Sequence, residues 1–312
     1  MEDKLNFTIV APCFNEEENI ERLCEEIQSV FKNLNYDYEH IVIDNNSTDS
    51  TITKLRELAK NDKKLKVIIN AKNYGHLKSP YYGILQSSGD ACILMVSDFQ
   101  EPIELIPQYI KKWEQGSKII LCQKNNSEEN KIFFSLRKLF YNFINKISDT
   151  KLNINTSGTG LFDKEAINRL KQINDPYPYF RGLVSELGFE IETIEFYQPL
   201  RKRGSTKNNI FTLYDLAILG IVKHSRAPLR FMTLLGFISS LICLAIAFVY
   251  FILKVLFWDS FTFGSAPTIL GLFTISSIQI ILLGLLGEYI GIILLHQRNM
   301  PLVVEKERIN FD

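Results

Sequence analysis

The sequence has no excess of charge of either sign and little cysteine. Lysine plus arginine and aspartate plus glutamate both number 35 in the 312 residues, so the formal net charge is zero. A chain without a basic surplus is a poor general nucleic-acid binder, and we expect no nucleic-acid partner. The five cysteines have no metal-type spacing and lie mostly in apolar runs, which indicates reduced core residues. They are Cys13, Cys24, Cys92, Cys122 and Cys243.

Two nucleotide-binding fingerprints are also missing. The chain contains neither Gly-x-Gly-x-x-Gly nor Gly-x-x-x-x-Gly-Lys, so a dinucleotide dehydrogenase and a P-loop ATPase are disfavoured. The first residues, Met1 to Lys4, place no basic region before an apolar one, and we therefore expect no cleavable signal peptide. The soluble part of the chain is then expected to stay in the cytosol.

Long apolar runs, by contrast, are present in the last third of the chain. Residues 231–253 carry no charge, and residues 266–287 are interrupted only by uncharged polar residues such as Gln279. Each run is long enough to cross a bilayer core of about 30 Å as a helix. A buried core helix is the alternative, but such helices are rarely apolar on every face. We predict two membrane spans, over residues 231–253 and 266–290.

Basic residues flank these runs unevenly. Arg226 and Arg230 precede the first run, whereas the loop of residues 254–265 has only Lys254. Arg298, Lys306 and Arg308 follow the second run. Because basic residues concentrate on the cytosolic side, this asymmetry predicts a multi-pass membrane protein with both termini in the cytosol.

The first part of the chain alternates apolar strands with segments of helical periodicity, which predicts a β-α-β-α-β-α-β order and an α/β fold. Acidic residues follow three of these strands, at Glu16, Asp44 and Asp98. Open α/β sheets bind ligands at the carboxyl ends of their strands, so we expect these acids to share one ligand-binding edge. The strands are expected near residues 7–11, 40–43, 66–69 and 91–96.

The stretch around Asp98 is the centre of this prediction. An apolar run, residues 91–96, leads to Asp98, which is followed closely by Gln100, Glu101 and Pro102. Oxygen ligands at such an edge suit Mg²⁺ or Mn²⁺, which is usually held together with the phosphates of a substrate. An acid that only caps the following helix stays open as the alternative.

A dense basic run, residues 201–207, precedes an apolar stretch, residues 210–222, that is too short to span a bilayer. Such a stretch is expected to lie in the membrane interface. The basic run is then either a clamp for an anion at the membrane surface or a solvated charge cluster that anchors the chain to anionic lipid.

Eight short motifs occur in order along the chain. They are residues 10–16 (Val-Ala-Pro-Cys-Phe-Asn-Glu), 44–49 (Asp-Asn-Asn-Ser-Thr-Asp), 73–75 (Asn-Tyr-Gly), 97–102 (Ser-Asp-Phe-Gln-Glu-Pro), 181–183 (Arg-Gly-Leu), 201–207 (Arg-x-x-Gly-x-Thr-Lys), 228–230 (Pro-Leu-Arg) and 287–291 (Gly-Glu-Tyr-Ile-Gly). With them the chain resembles the polyprenyl-phosphate glycosyltransferases of glycosyltransferase family 2. It is similar over essentially its whole length to bactoprenol glucosyltransferases and to dolichol-phosphate mannose synthase.

The resemblance implies a domain organisation. A nucleotide-binding domain of the GT-A type is expected over residues 1–208, followed by an interfacial helix over 209–228. A two-helix membrane domain is expected over 229–297, and residues 298–312 would be a cytosolic tail.

The resemblance also implies roles for individual residues. The nucleotide would be held by Pro12, Phe14, Glu16, Asp44, Ser97 and Asp98. Asp98 and Gln100 would face the Mg²⁺ or Mn²⁺ ion and the diphosphate, and Asp98, Gln100 and Arg201 would act in catalysis. The acceptor or donor phosphates would be bound by Arg137, Arg201, Arg203 and Lys207.

The chain departs from the family pattern at two places. Val96 stands where the family usually has the first acid of Asp-x-Asp, so one metal ligand must come from elsewhere or the metal is held more weakly. Many members also carry an acid in a Gly-Asp-Phe-Arg segment, whereas residues 157–163 here have no acid before Leu161.

The resemblance implies the inverting transfer of a hexose from a nucleotide sugar to polyprenyl (undecaprenyl) phosphate, at the cytosolic face of the plasma (inner) membrane, for cell-envelope glycans. UDP-glucose is the commonest bacterial donor in the family, and galactose, N-acetylhexosamines or mannose from GDP stay open. The acceptor phosphate has a second pKa of about 6 and is largely ionised at pH 7, so a strong general base is unnecessary. Transfer to a soluble or another lipid acceptor and a catalytically inactive membrane scaffold stay open, as does a homo-oligomer. A processive polysaccharide synthase is disfavoured because its Gln-x-x-Arg-Trp motif is absent.

Overall fold

A computed structural model of the chain describes residues 5–127, 156–198, 218–223, 225, 227–257 and 265–311. Strands and helices alternate through its first part, as the sequence predicts. The strands are β1 (Asn6–Cys13), β2 (Asp37–Asp44), β3 (Leu65–Asn70), β4 (Ala91–Leu94), β5 (Ile119–Ser127), β6 (Thr156–Asp163), β7 (Ile191–Gln198) and β8 (Glu305–Ile309). The helices are α1 (Ile20–Lys32), α2 (Thr51–Asn61), α3 (Gly75–Gln86), α4 (Ile106–Glu114), α5 (Lys164–Lys171), α6 (Phe180–Glu186), α7 (Ala227–Leu256) and α8 (Ser265–Gln297).

The described strands form one eight-stranded mixed sheet in the order β7-β5-β6-β4-β1-β2-β3-β8. Strand β1 is parallel to β2 and β4, and β2 is parallel to β3, so the predicted parallel centre is confirmed. In the register of these strands Cys13 pairs with Asp44, and Val10 pairs with Leu94. The carboxyl ends of β1, β2 and β4 therefore lie side by side.

Apolar residues on the two faces of the sheet form two cores. Along β1, Phe7, Ile9 and Ala11 pack with the layer of α1, α2 and α4, whereas Val10 packs with the layer of α3, α5 and α6. This alternation follows from the two-residue period of a strand. Helix α1 buries one stripe, composed of Ile20, Leu23, Ile27 and Phe31. Burying each such side chain contributes roughly 1.5–3 kcal/mol, which fixes the helix on the sheet.

Strand β6 was not expected, because the small residues 155–160 are typical of a flexible segment. Residues Thr156–Asp163 instead form a strand that runs antiparallel between β4 and β5. An ideal Cβ at Gly160 would lie 2.0 Å from the Ile120 carbonyl oxygen, and Gly160 has a φ of +143°. Only glycine fits this close approach, so the small residues allow the strand to form.

Strand β8 was not expected, because residues 298–312 read as a tail. It pairs antiparallel with β3 and is the edge strand on that side of the sheet. Tyr82 donates a 2.8 Å hydrogen bond to Glu305, and Arg56 forms an ion pair with Glu307. The Asn310 side-chain amide donates to the Leu65 carbonyl at 2.9 Å. Residues Glu305–Ile309 therefore belong to the same sheet as β1 to β4.

Helices α7 and α8 contain the long apolar runs. Within α8, Thr274–Gln297 is 24 residues long, and it is the one stretch in the described part of the chain that is long and apolar enough to cross a membrane. The apolar stretch Ala227–Ile242 in α7 is shorter. Both helices expose large apolar side chains, such as Phe237 and Ile281. One predicted span therefore has a counterpart in the structure, and the second stays a prediction.

Candidate active site

Asp44 lies at the carboxyl end of β2 and is buried. Its carboxylate accepts hydrogen bonds from the Ser47 hydroxyl and from the Ser47 backbone N–H, the latter at 2.8 Å. Burial raises the pKa of Asp44 above its ordinary value, and the hydrogen bonds from Ser47 partly offset this rise. Asp44 therefore holds the turn after β2 in shape at the expected edge of the sheet.

The loops after β1 and β2 are bound to each other through Asn15, whose φ of +56° is one that asparagine tolerates better than most residues. The Asn15 backbone N–H donates to the Ser47 hydroxyl at 2.8 Å, and the Thr48 N–H donates to the Asn15 side chain at 2.8 Å. The Glu16 N–H donates to the Thr51 hydroxyl at 2.9 Å. These three hydrogen bonds hold the loop after β1, which carries the residues of the first motif that are predicted to bind the nucleotide. Those residues are partly exposed. They are Pro12, Phe14 and Glu16.

Asn45 connects this pair of loops to the loop after β3. Its side-chain oxygen accepts hydrogen bonds from the Tyr74 N–H at 2.9 Å and from the Asn70 amide at 3.0 Å. Its amide donates to the Asn73 side chain at 2.8 Å. Both loops contain motifs that are visible in the sequence, but the sequence predicts no role for Asn45. The one available signal was an amide side chain within the motif of residues 44–49, directly after the strand.

Asp98 and Gln100 lie in the loop beyond β4, where both are partly exposed. The Asp98 carboxylate accepts a 3.1 Å hydrogen bond from the Gln100 backbone N–H. Ser97 is buried and its hydroxyl donates to the Pro12 carbonyl at 2.8 Å, which joins this loop to the first motif. The helical turn that follows begins at Ile103, and its N-cap residue is Pro102, which provides no side-chain cap.

Glu101 and Thr159 hold the Asp98 loop against β6. The Thr159 hydroxyl donates a 2.5 Å hydrogen bond to Glu101, and both residues are buried. An ideal Cβ on the neighbouring Gly158 would lie 3.4 Å from Cγ of Arg181. The Arg-Gly-Leu motif at the start of α6 therefore lies against β6 behind the Asp98 loop. None of these contacts could be read from the sequence, because each joins segments that are far apart in it.

The donor set at this edge fits a divalent ion that is shared with a substrate. Among the residues that the structure describes, no three His, Cys, Asp or Glu side chains are grouped closely enough to bind a metal. The Asp98 carboxylate and the Gln100 amide supply two oxygen donors. Mg²⁺ commonly takes one or two protein carboxylates and completes its shell with water and substrate phosphates. Asp98 and Gln100 therefore suit a divalent ion whose remaining ligands are water and the phosphates of a substrate.

The predicted phosphate-binding residues are not tested by this geometry. Arg137, Arg201, Arg203 and Lys207 all lie outside the residues that the structure describes. Of the predicted interfacial helix, residues 218–223 are described and helical, and Leu219 and Val222 are buried.

Comparison with known proteins gives matches over most of the chain. The family model described as Glycosyl transferase family 2 matches residues 8–171. The chain is 30% identical over 288 residues to an uncharacterized glycosyltransferase of Synechocystis sp., covering 92% of this chain and 90% of that protein. It is 29% identical over 308 residues to a prophage bactoprenol glucosyl transferase homolog of Escherichia coli K12, covering 97% and 99%. It is 29% identical over 311 residues to the bactoprenol glucosyl transferase of Shigella phage SfX, covering 97% and 100%.

Among solved structures, the chain is similar to glucosyl-3-phosphoglycerate synthase from Mycobacterium tuberculosis in complex with Mn²⁺, UDP and phosphoglyceric acid. The TM-score is 0.49 at 19% identity, over 70% of this chain and 76% of that chain.

Proposed function

The chain belongs to glycosyl transferase family 2 and is a glycosyltransferase, and on this premise we propose that it transfers a hexose from a nucleotide sugar to polyprenyl phosphate. The donor we propose is UDP-glucose, and the product is a polyprenyl-phosphate sugar that serves cell-envelope glycans. The observation that carries the proposal is the match to bactoprenol glucosyl transferases over 97% of the chain, because it includes the apolar helices as well as the catalytic domain.

The sheet edge supports the donor half of this reaction. The loop after β1 is held to the loop after β2 through Asn15 and to the loop after β4 through Ser97, and Asp98 and Gln100 are partly exposed beside them. A divalent ion bound by these two residues would neutralise the charge that develops on the departing nucleoside diphosphate. We propose the nucleotide contacts at Pro12, Phe14, Glu16, Asp44 and Ser97.

The acceptor half of the reaction requires positioning more than proton transfer. A phosphate monoester has a second pKa of about 6, so most of the acceptor phosphate is a dianion at pH 7. The dianion can attack the anomeric carbon without first losing a proton. The acceptor phosphate and the donor diphosphate are both anions and must nevertheless be held close together. Basic side chains can position them and offset their repulsion. We propose that Arg137, Arg201, Arg203 and Lys207 do so, with Arg201 close to the reacting groups. A single displacement inverts the anomeric centre.

The pairing of β8 with β3 supports a topology with two spans. Residues Glu305–Ile309 lie in the same sheet as the catalytic strands, so the chain between them must cross the membrane an even number of times. If Thr274–Gln297 crosses, a second crossing is needed, and α7 is the helix available for it among the described residues. We therefore propose that both α7 and α8 span the membrane and that both termini and the catalytic domain are cytosolic.

A donor panel tests this proposal. Membranes containing the protein are incubated with labelled UDP-glucose, UDP-galactose, UDP-N-acetylglucosamine or GDP-mannose, and the lipids are then extracted. We expect label from UDP-glucose in the organic phase only when the protein is present. Label from a different donor would correct the sugar, whereas label that stays in the aqueous phase with every donor would contradict the lipid acceptor.

A further inference from the structure

A buried ion pair joins the catalytic domain to the membrane-proximal helical segment of residues 218–223. The Lys223 ammonium group donates to the two carboxylate oxygens of Asp175 at 2.7 and 2.6 Å, and each side chain is 8% exposed. Lys223 also donates to the Tyr177 carbonyl at 2.6 Å. Two charges removed from water are costly unless they remain paired, so this contact resists separation.

The same carboxylate faces the cytosolic end of α8. Nε2 of His296 lies 3.3 Å from Oδ1 of Asp175. One residue earlier, the Asn174 amide donates to the Asn299 side chain at 3.2 Å, just beyond the end of α8. Asp175 thus contacts two segments that lie on either side of α7 in the sequence.

Apolar packing surrounds this polar contact. Tyr179 and Leu219 are buried against each other, with Ile292 of α8 packed on them. An ideal Cβ at Gly220 would lie 3.3 Å from the Tyr179 ring, so the helical segment 218–223 approaches the domain closely. We name this set of contacts, formed by residues 174–179, 218–223 and the end of α8, the membrane junction.

The membrane junction leads directly into the candidate active site. The loop of residues 174–179 continues into α6, whose second residue is Arg181. The Arg181 side chain lies beside Gly158, and the adjacent Thr159 donates a hydrogen bond to Glu101 in the Asp98 loop. A shift of the catalytic domain relative to residues 218–223 and α8 would therefore alter the distance between the membrane and Asp98.

We propose that Asp175 is a positioning residue, which fixes the catalytic domain on its membrane helices so that a phosphate carried by a membrane lipid reaches the donor site at Asp98. This inference rests on the proposed lipid acceptor and deepens it. Asp175 contacts Lys223 and His296 and is not among the residues proposed to bind the donor or the acceptor. Its loss should therefore impair use of the lipid acceptor while leaving nucleotide binding intact.

The test compares Asp175→Asn with Asp90→Asn in the full-length protein in lipid vesicles. Asp90 is a matched control because it also pairs with a lysine, Lys164, at 3.2 Å, but on the surface of the catalytic domain. We expect Asp175→Asn to lower kcat/KM for polyprenyl phosphate at least tenfold, mainly through KM, and Asp90→Asn to change it less than twofold. The dissociation constant of UDP should change less than twofold in both. Lys223→Arg should retain acceptor use, and Lys223→Met should lose it.

Either of two results would overturn the proposal: a folded Asp175→Asn variant with unchanged kcat/KM for the lipid phosphate, or one that loses UDP binding as strongly as acceptor use. If Asp175→Asn does not fold, the double variant Asp175→Asn with Lys223→Met replaces it, because this variant buries no unpaired charge. Its kcat/KM for polyprenyl phosphate and its dissociation constant for UDP are compared with those of Asp90→Asn, with the same expected results.

A distance measurement separates failure of this inference from failure of the proposed function. Spin labels on Glu104 and Ile293 report the seating of the domain on α8, and both positions are exposed. The inference predicts a broadened distance distribution in Asp175→Asn and not in Asp90→Asn. If wild-type protein binds UDP but does not use polyprenyl phosphate, the proposed function is contradicted. If the distance distribution of Asp175→Asn is not broadened, the role of Asp175 in the membrane junction is contradicted, whatever the acceptor is.

Discussion

The hydroxyl of Thr159 donates a 2.5 Å hydrogen bond to the carboxylate of Glu101, and both side chains are buried. The two residues are 58 positions apart in the sequence. Their bond connects β6, which lies between β4 and β5, to the loop that carries Asp98 and Gln100. The position of the candidate metal-binding loop is thus set partly by a strand that contributes no acid to the site.

Replacing Thr159 by valine should lower catalytic efficiency without preventing folding. The change keeps the shape of the side chain but removes a donor from a buried carboxylate, at a cost of about 1–3 kcal/mol. If that cost falls on the Asp98 loop, kcat/KM falls by roughly tenfold or more. Steady-state kinetics on Thr159→Val and on the control Thr159→Ser, which keeps the hydroxyl, measure this. Equal loss in both variants would show that the hydroxyl does not act through this bond.

Replacing Asp98 by asparagine should abolish transfer while leaving the fold intact. The side chain is partly exposed in a loop, so the substitution costs little packing, but it removes the one carboxylate among the two proposed metal ligands. A metal ion contributes several kcal/mol of charge stabilisation, so we expect a loss of about three orders of magnitude. EDTA should inhibit the wild type, and added Mg²⁺ or Mn²⁺ should restore it. The exposed Glu104→Gln serves as control, and full activity of Asp98→Asn with metal present would remove Asp98 from the site.

The proposed topology places residue 260, in the loop between the two long helices and outside the described residues, on the outer side of the membrane. A cysteine introduced at Ser260, in a background without the native cysteines, should react with an impermeant thiol reagent in intact cells. A cysteine at Lys63, on the surface of the catalytic domain, should react only after lysis. The reverse pattern would separate the catalytic domain from cytosolic nucleotide sugars.

Stability should fall below neutral pH because of His40. This histidine is buried in β2, its Nε2 has no hydrogen-bond partner among the described residues, and burial lowers its pKa to about 3. Below pH 6.5 the unfolded chain binds a proton at this position that the folded chain does not, so stability is lost as the pH falls. At pH 5.5 the loss is about 1.4 kcal/mol. Urea unfolding at pH 7.5 and 5.5 should show a smaller loss in His40→Gln, and equal losses in both proteins would contradict the assignment.

The parts of the fold that the sequence predicts are those with a local signal. The runs near residues 7–11, 40–43 and 91–96 are apolar, and each is followed by helical periodicity, so the parallel centre and its acidic edge are predictable. Strand β6 has no such signal, because close approach to Ile120 requires the small residue Gly160.

Strand β8 is hidden for a different reason. Its sequence, Glu305-Lys306-Glu307-Arg308-Ile309, is charged because it forms an edge strand with solvent beside it, and charged residues are typical of such edges. The Asp175–Lys223 pair spans 48 residues and has no local pattern. Contacts of this kind appear only when the topology brings distant segments together.

The identity of the acceptor is the central claim, and a three-way comparison tests it most directly. Purified protein in lipid vesicles receives radiolabelled UDP-glucose with polyprenyl phosphate, with 3-phosphoglycerate as a soluble phosphate acceptor, or with no acceptor. The account predicts label in the organic phase with polyprenyl phosphate alone, and none when Asp98→Asn replaces the wild type. Transfer of label to phosphoglycerate, with none entering the organic phase, would contradict the account and assign the enzyme to a soluble acceptor.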